Sequence, residues 1–445
     1  MPFLIGWLFI LVVMDPALKI LHDTFGYTEF RGFQKEVIDH VGGGGSALVL
    51  MPTGGGKSLC YQIPGLLRPG VTLVISPLIA LMQDQVQALR KRGIAAACLN
   101  SFQTEGALKE VQNALMAHEL KFLYLAPERL VQNHFQSMLR RVYEKGQVAL
   151  FAIDECHCIA EWGHDFRPEY QQLSVLADQY PEVPRIAVTA TADVHTRQEI
   201  GESLKLDGAR CFVSSFDRPN LHYCVTERKA ALPQIEHFLQ RHSGQGGILY
   251  CPTRRMVESL AQRLNTSGWP CLHYHAGLSP ALREQAQNQF LQQSERIMVA
   301  TIAFGMGIDK PDIRFVVHLA PPRSLEGYYQ ETGRAGRDGR VSEVLLLHHP
   351  EDQSFSSAEE SGTGDSFHHR VLQRKLEGVE RFIHTRQCRR QGLLNYFGEP
   401  HEGHCGTCDV CNPAYQHWTG SLKRLSTVLF APSHKQNPRR NRHKK

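Results

Sequence analysis

Apolar and polar positions divide the chain into stretches of different period. The first, Met1 to Val13, is almost wholly apolar but meets Asp15-Pro16 before the roughly 20 residues that a membrane-spanning helix needs. It also lacks the basic start and small-residue cleavage site of a secretory signal. It reads as a non-functional upstream extension, with Met14 a credible alternative start. From Leu18 the positions Leu18, Leu21 and Phe25 recur at helical spacing. Short apolar runs follow at 48–50, 71–76, 121–126, 148–153 and 185–189, with helical-looking stretches between them. Near residue 211 the alternation restarts, with runs at 247–251, 271–275, 297–301 and 315–318. Strands alternating with helices predict parallel sheets with crossover helices, whose ligands gather at the carboxyl ends of the strands. After about 345 the hydropathy falls, and 354–366 reads as loop or linker.

A chain of 445 residues with 42% hydrophobic content has room for two or three cores. Its formal net charge of +5 is mild, so a polyanion would have to be held by local basic patches rather than by a global field. Eight cysteines (Cys60, Cys98, Cys156, Cys158, Cys211, Cys224, Cys251 and Cys271) are scattered without module spacing and read as ordinary buried thiols of a reducing cytoplasm.

The apolar run ending at Leu50 leads into Met51-Pro52-Thr53-Gly54-Gly55-Gly56-Lys57-Ser58. Glycines there let backbone N–H groups approach a phosphate chain, Lys57 can reach the β- and γ-phosphates, and the Ser58 hydroxyl is placed to ligate Mg²⁺. The strict form of this pattern has glycine where this chain has Met51. Asp154-Glu155 directly follows the buried run at 148–153. Asp154 there would hold Mg²⁺ through water, and Glu155 would polarise the water that attacks the γ-phosphate.

Taken with 76–85, 162–170 (Trp-Gly-His-Asp-Phe-Arg-Pro-Glu-Tyr), Thr189-Ala-Thr-Ala192 and Gln330-Glu-Thr-Gly-Arg-Ala-Gly-Arg-Asp338, these segments resemble the motif series of superfamily 2 helicases. More narrowly, the chain resembles the bacterial RecQ DNA helicase family from about residue 17 to about 413. That resemblance implies two RecA-like α/β domains in tandem followed by a small helical zinc-binding subdomain. The expected boundaries are 14–210, 211–345 and 346–415, with 1–13 an extension and 416–445 a basic tail. It also implies that Tyr27 stacks on adenine while Arg31 and Gln34 hold the base, which favours ATP. Gly32 stands where the family usually has proline.

Across the cleft, Gln330, Arg334 and Arg337 would meet the nucleotide, with Arg337 as the arginine finger and Arg334 a second phosphate contact. Trp162 and Phe166 would stack on single-stranded DNA, His164 and Arg167 relaying that contact to the hydrolytic site. Ser76, Gln83, Asp84, Gln85 and 301–309 would line the strand-binding face, and the hydroxyls of 189–192 would link hydrolysis to domain motion.

Cys388, Cys405, Cys408 and Cys411 form C-x16-C-x2-C-x2-C, a ligand count that suits structural zinc or an iron–sulfur cluster. The resemblance places Zn²⁺ there. Arg389 and Arg390, beside the first ligand, would meet DNA phosphate or be solvated.

Relatives continue past the zinc module into a winged helix that splits the duplex, whereas 34 residues follow Cys411 in this chain and its end is too polar to fold alone. The expectation is an ATP-dependent, 3′ to 5′ DNA motor of recombination and repair, in the bacterial cytoplasm at the nucleoid, with unwinding narrower than in longer relatives. Single-stranded and partly duplex DNA would be its partners, with single-strand-binding protein and recombination factors beside them and no membrane. A translocase or RNA remodeller and a catalytically idle DNA-binding fragment are the competing classes.

Overall fold

Strands buried on both faces read as unbroken apolar runs. The seven residues of Val148–Asp154 are all buried, and so are the four of Ala47–Leu50. The computed structural model describes residues 15–100, 103–159, 168–305, 308, 310–352 and 366–412. The extension at 1–13, the tail at 416–445 and the segment carrying Trp162, His164, Phe166 and Arg167 lie outside the described residues.

The first sheet has seven strands: β1 Ala47–Leu50, β2 Val71–Ile75, β3 Ala96–Leu99, β4 Phe122–Leu125, β5 Val148–Asp154, β6 Arg185–Thr189 and β7 Arg210–Val213. Their order is β3-β4-β2-β5-β6-β1-β7, and each recorded pairing is parallel. Because β6 lies between β5 and β1, residues 51–58, 154–155 and 189–192 all emerge along one edge. The second sheet runs β10-β11-β9-β12-β13-β8. It is built from β8 Leu221–Glu227, β9 Gly247–Tyr250, β10 Cys271–Tyr274, β11 Ile297–Ala300, β12 Phe315–His318 and β13 Ser342–His348, again in parallel. Helices around both sheets start on side-chain caps such as Asp193, Thr253, Ser279 and Ser324.

Two boundaries differ from expectation. β7 pairs with β1, Ala47 facing Arg210 and Leu50 facing Val213, so the first sheet extends beyond 210 and the crossing falls at 214–220. β13 likewise runs on to His348. β7 left no apolar run because it is an edge strand in which only Phe212 is buried. Cys211, on that strand, is exposed rather than buried.

The helices Ser366–His384 and Arg389–Tyr396 carry the four-cysteine module. One apolar cluster runs without a break from Phe151 in the first sheet through Tyr223 and Tyr328 in the second to Phe382, Phe397 and Cys408 in the module. At its centre Phe216 of the crossing segment stacks on Phe397, ring centroids 4.6 Å apart and 10° from parallel. The arginines beside Cys388 do not face solvent. Arg389 is 5% exposed and makes a bidentate pair with Asp409 at 2.8 and 2.9 Å. Arg390 is 7% exposed and donates to the carbonyls of Pro219 and Leu221 at 3.1 and 3.2 Å. Arg389 thus braces the module from within and holds Asp409, whose carboxylate accepts from the Val225 N–H of β8 at 3.1 Å, while Arg390 fastens the module to the chain at 219–221; neither is presented to DNA phosphate.

Removing one partner of a buried ion pair leaves the other charge uncompensated. Arg389→Ala is expected to destabilise the protein by about 3–5 kcal/mol in chemical denaturation. A change under about 1 kcal/mol, the range of exposed pairs, would contradict the burial of this one.

Candidate active site and metal centre

After β1 the chain turns through the glycine loop, with Gly54 and Gly56 at φ +80° and +83°, in the region that favours glycine. At Gly55 an added Cβ would lie 2.6 Å from Met51 Cγ and 2.9 Å from the Pro52 carbonyl oxygen. Met51 is buried and packs into the core with Val37, Val49 and Cys60. The departure from the strict pattern thus points away from the phosphate side and is accommodated beneath the loop. Lys57 Nζ donates to the Met51 carbonyl at 3.2 Å.

Gln34 is placed differently from the base-reading role expected of it. Its Oε1 accepts from the Arg31 N–H at 2.8 Å, while Nε2 donates to the carbonyls of Gly55 and Gly56 at 3.0 and 3.3 Å. Both ends of the amide tie the Tyr27–Gln34 segment to the loop. Tyr27 and Arg31 are exposed at the cavity wall. Gly32 sits at φ +49°, a turn that proline, fixed near −65°, does not make.

Asp154 ends β5 and accepts from the Glu155 N–H at 3.0 Å. Glu155 has φ +47°, a left-handed conformation that costs about 1–2 kcal/mol in a non-glycine residue and so marks a site under constraint. Burial and the neighbouring Glu155 charge push the Asp154 carboxyl well above its ordinary range. Burial works on Glu155 in the same direction, but His157, Lys57 and Arg334 outweigh it and hold that carboxyl low. His157 Nδ1 lies 3.3 Å from Glu155 Oε2 and 2.8 Å from Thr189 Oγ1. Thr189 donates its one proton to the Thr191 carbonyl at 3.1 Å, so the imidazole is the donor to Thr189. Thr191 Oγ1 accepts from Gln330 Nε2 at 2.6 Å. Sequence reading gave His157 no role, although it stands two residues after a hydrolytic carboxylate.

The second domain closes the same cavity, of about 320 Å³. Gln330, Arg334 and Arg337 line it together with Tyr27, Arg31, Gln34, Thr53, Gly54, Gly56, Lys57, Ser58, Asp154 and Glu155. Arg337 Cδ would come within 3.5 Å of a Cβ at Gly54, which puts this side chain on the glycine loop itself. Its Nη1 donates to the Ile308 carbonyl at 2.7 Å. Arg334 is buried and donates to the Gly305 carbonyl.

Two residues expected on the strand-binding face lie elsewhere. Ser76 is buried, its hydroxyl without a hydrogen-bond partner. Gln85 lines the nucleotide cavity and accepts from Gln62 Nε2 at 2.9 Å.

Ser58 and Asp154 line the cavity together and offer oxygen donors suited to Mg²⁺. The sulfurs of Cys388, Cys405, Cys408 and Cys411 all lie within 4.8 Å of one another. Four sulfurs around one zinc, each about 2.3 Å from it, sit about 3.8 Å apart, whereas a cluster places several irons between its thiolates and spreads them further. The set therefore fits a single tetrahedral ion. Thr407 donates to Cys405 through N–H and hydroxyl at 3.4 and 3.5 Å, and these bonds outweigh burial in holding that thiol below its usual value. Such an outer shell favours the thiolate a metal requires.

Two RecA-like domains closed on one phosphate pocket define the helicase-type motor fold. Three family models match in order: DEAD/DEAH box helicase over 31–200, helicase conserved C-terminal domain over 229–339 and RecQ zinc-binding over 352–412. The chain is 46% identical to the ATP-dependent DNA helicase RecQ of Haemophilus influenzae over 93% of its own length and 66% of that protein's. It is 40% identical to the protein of the same name from Bacillus subtilis, over 90% of this chain and 67% of that one. Among solved structures, the helicase MrfA bound to DNA superposes with TM-score 0.62 at 19% identity, covering 78% of this chain and 53% of that one, a likeness of fold. The chain belongs to the RecQ family. It spans about two thirds of the length of these RecQ relatives.

Structural zinc contributes its binding energy to folding. Purified protein is expected to carry one zinc per chain. Cys408→Ser should lose it and open 366–412 to proteolysis while 15–348 stays resistant; full zinc content in that variant would remove Cys408 from the ligand set.

Proposed function

We propose that this chain hydrolyses ATP to drive itself 3′ to 5′ along single-stranded DNA and to separate DNA strands; its RecQ relatives are named ATP-dependent DNA helicases. The observation that carries this reading is Arg337 lying on the glycine loop of the other domain, in one cavity with Lys57, Asp154 and Glu155. The loop amides and Lys57 hold the phosphate chain. Ser58 and Asp154 hold Mg²⁺, which neutralises charge on the β- and γ-phosphates. Glu155, kept ionised by His157, orients the attacking water. Arg337 and Arg334 meet the charge that spreads onto the transferring phosphoryl, a contribution of about 10³ to 10⁵ in rate where an arginine finger acts.

Hydrolysis is passed to the second domain through His157, Thr189, Thr191 and Gln330, whose hydrogen bonds run across the cleft from the imidazole that stands 3.3 Å from the Glu155 carboxylate. The proposed substrate is single-stranded and partly duplex DNA in recombination and repair, within the bacterial cytoplasm. Among the described residues no helix is long and apolar enough to cross a membrane.

Lys57→Ala and Glu155→Gln are expected to lower DNA-stimulated ATP turnover by about 10²-fold or more while DNA binding persists. A duplex with a 3′ single-stranded tail should be opened in the presence of ATP, and a 5′-tailed one should not. Turnover at the parent rate in both variants would sink the assignment of the phosphate site, and turnover without strand opening would reduce the motor to a translocase.

A further inference from the structure

The crossing segment 214–220 does more than join two sheets. Arg218 reaches back to the loop that precedes the arginine finger: Nη1 donates to the Gly333 carbonyl at 3.2 Å, and Nη2 donates to those of Ala335 and Gly336 at 2.8 and 3.1 Å. Asn220 Nδ2 adds bonds to the carbonyls of Gly336 and Arg340 at 2.8 and 2.9 Å. The Gly336 carbonyl, immediately before Arg337, thus takes donors from both residues. The approach is tight enough to require glycine, since a Cβ at 336 would lie 2.4 Å from Asn220 Nδ2 and φ there is +58°. Neither Arg218 nor Asn220 lines the nucleotide cavity.

The segment is itself held from the zinc module. Arg390 Nη2 donates to the carbonyls of Arg218, Pro219 and Leu221 at 3.4, 3.1 and 3.2 Å, and Arg390 Nε lies 3.4 Å from Asp217 Oδ1. Nine residues further along the module, Glu399 accepts from the Ser215 hydroxyl and the Phe216 N–H at 2.7 and 2.6 Å.

We propose that Arg218 and Asn220 are positioning residues for the arginine finger: they fix the backbone at Gly336 so that Arg337 projects onto the glycine loop, and the zinc module holds them in register. The inference rests on the reading of Arg337 given above. A forked guanidinium satisfying three carbonyls leaves that backbone one conformation, and displacement of a catalytic group by about 1 Å can reduce rate by about 10²-fold. The four-cysteine module, whose Thr407 accepts from Arg390 at 3.1 Å and donates to Cys405, thereby bears on hydrolysis without any contact with nucleotide.

The test is a double-mutant cycle in the full chain, with DNA-stimulated kcat and KM for ATP, zinc content and DNA binding measured together. Arg218→Ala should lower kcat by about 10- to 100-fold with KM within about threefold, one zinc retained and DNA binding unchanged. Asn220→Ala, a smaller change, should act in the same direction. In a chain already carrying Arg337→Ala, adding Arg218→Ala should lower kcat by less than about threefold, because its target is gone. Independent losses that multiply in the double variant, or a loss seen in KM or zinc instead of kcat, would overturn the proposal. Arg337→Ala inactive with Arg218→Ala at the parent rate would overturn it alone, whereas Arg337→Ala at the parent rate would overturn the finger reading and this inference with it.

Discussion

Neither domain holds enough positive charge to neutralise a triphosphate by itself, and the cleft is arranged around that deficit. Lys57 comes from the first sheet, and Arg334 and Arg337 come from the second. Lys57 and Arg334 are both close enough to lower the proton affinity of Glu155, so the two half-sites already share one field. Such charges attract a phosphate chain from both sides, and their separation becomes unfavourable once phosphate lies between them. Closure is then a consequence of electrostatics.

The same cleft contains a mechanical path. Glu155 adopts a backbone conformation that its neighbours must enforce, and His157 donates from Nδ1 to Thr189 while the same nitrogen stands 3.3 Å from the Glu155 carboxylate as a charge partner. From Thr189 the bonds continue to Thr191 and on to Gln330, which stands in the same helix-to-loop segment as the arginines. The Thr191 carbonyl takes the Thr189 proton while the Thr191 hydroxyl accepts from Gln330, so the two bonds meet on one residue at the cleft. A buried chain of this kind has discrete arrangements rather than a continuum, which suits a motor that must distinguish the states of its nucleotide.

Much of this was legible in the chain because the strands buried on both faces leave apolar runs that end where the chemistry begins. Leu50 and Ile153 mark such ends, and Lys57 and Asp154 follow them. The order of motifs and the spacing of the four cysteines then carried the fold class. What stayed hidden depended on three-dimensional partners. Arg389 and Arg390 look like solvated charges beside a metal ligand, yet Asp409 lies twenty residues on and the carbonyls of 218–221 lie in another domain. Ser76 follows the end of strand β2, where hydroxyls are often exposed, but in the fold it is 1% exposed. Gln34 carries an amide able to read a base, and only the folded loop reveals the two carbonyls that take it instead. Edge strand β7 and the donors Arg218 and Asn220 left no periodic signal, because their meaning lies in what they face.

Seen through these contacts, the four-cysteine module is part of the motor's frame. Its aromatic Phe397 stacks on the crossing segment, Arg197 of the first domain donates to the Phe397 carbonyl at 2.6 Å, and Tyr329 of the second packs against the same ring at 5.1 Å. One residue therefore touches both domains and the segment between them. A fold that must open and close needs a fixed point about which the domains move, and a ring held by stacking permits small rotations at less energy than a network of ion pairs would. Zinc, whose binding energy would count toward folding, would tie 405–411 to Cys388 at the start of the second helix of the module. The second domain and the module thus form one body through Arg389, Arg390 and Asp409, while the first domain meets that body through Phe397 and through the nucleotide pocket. The pocket is the contact at which charged groups of both bodies meet, so the proposed hydrolysis would act on that contact.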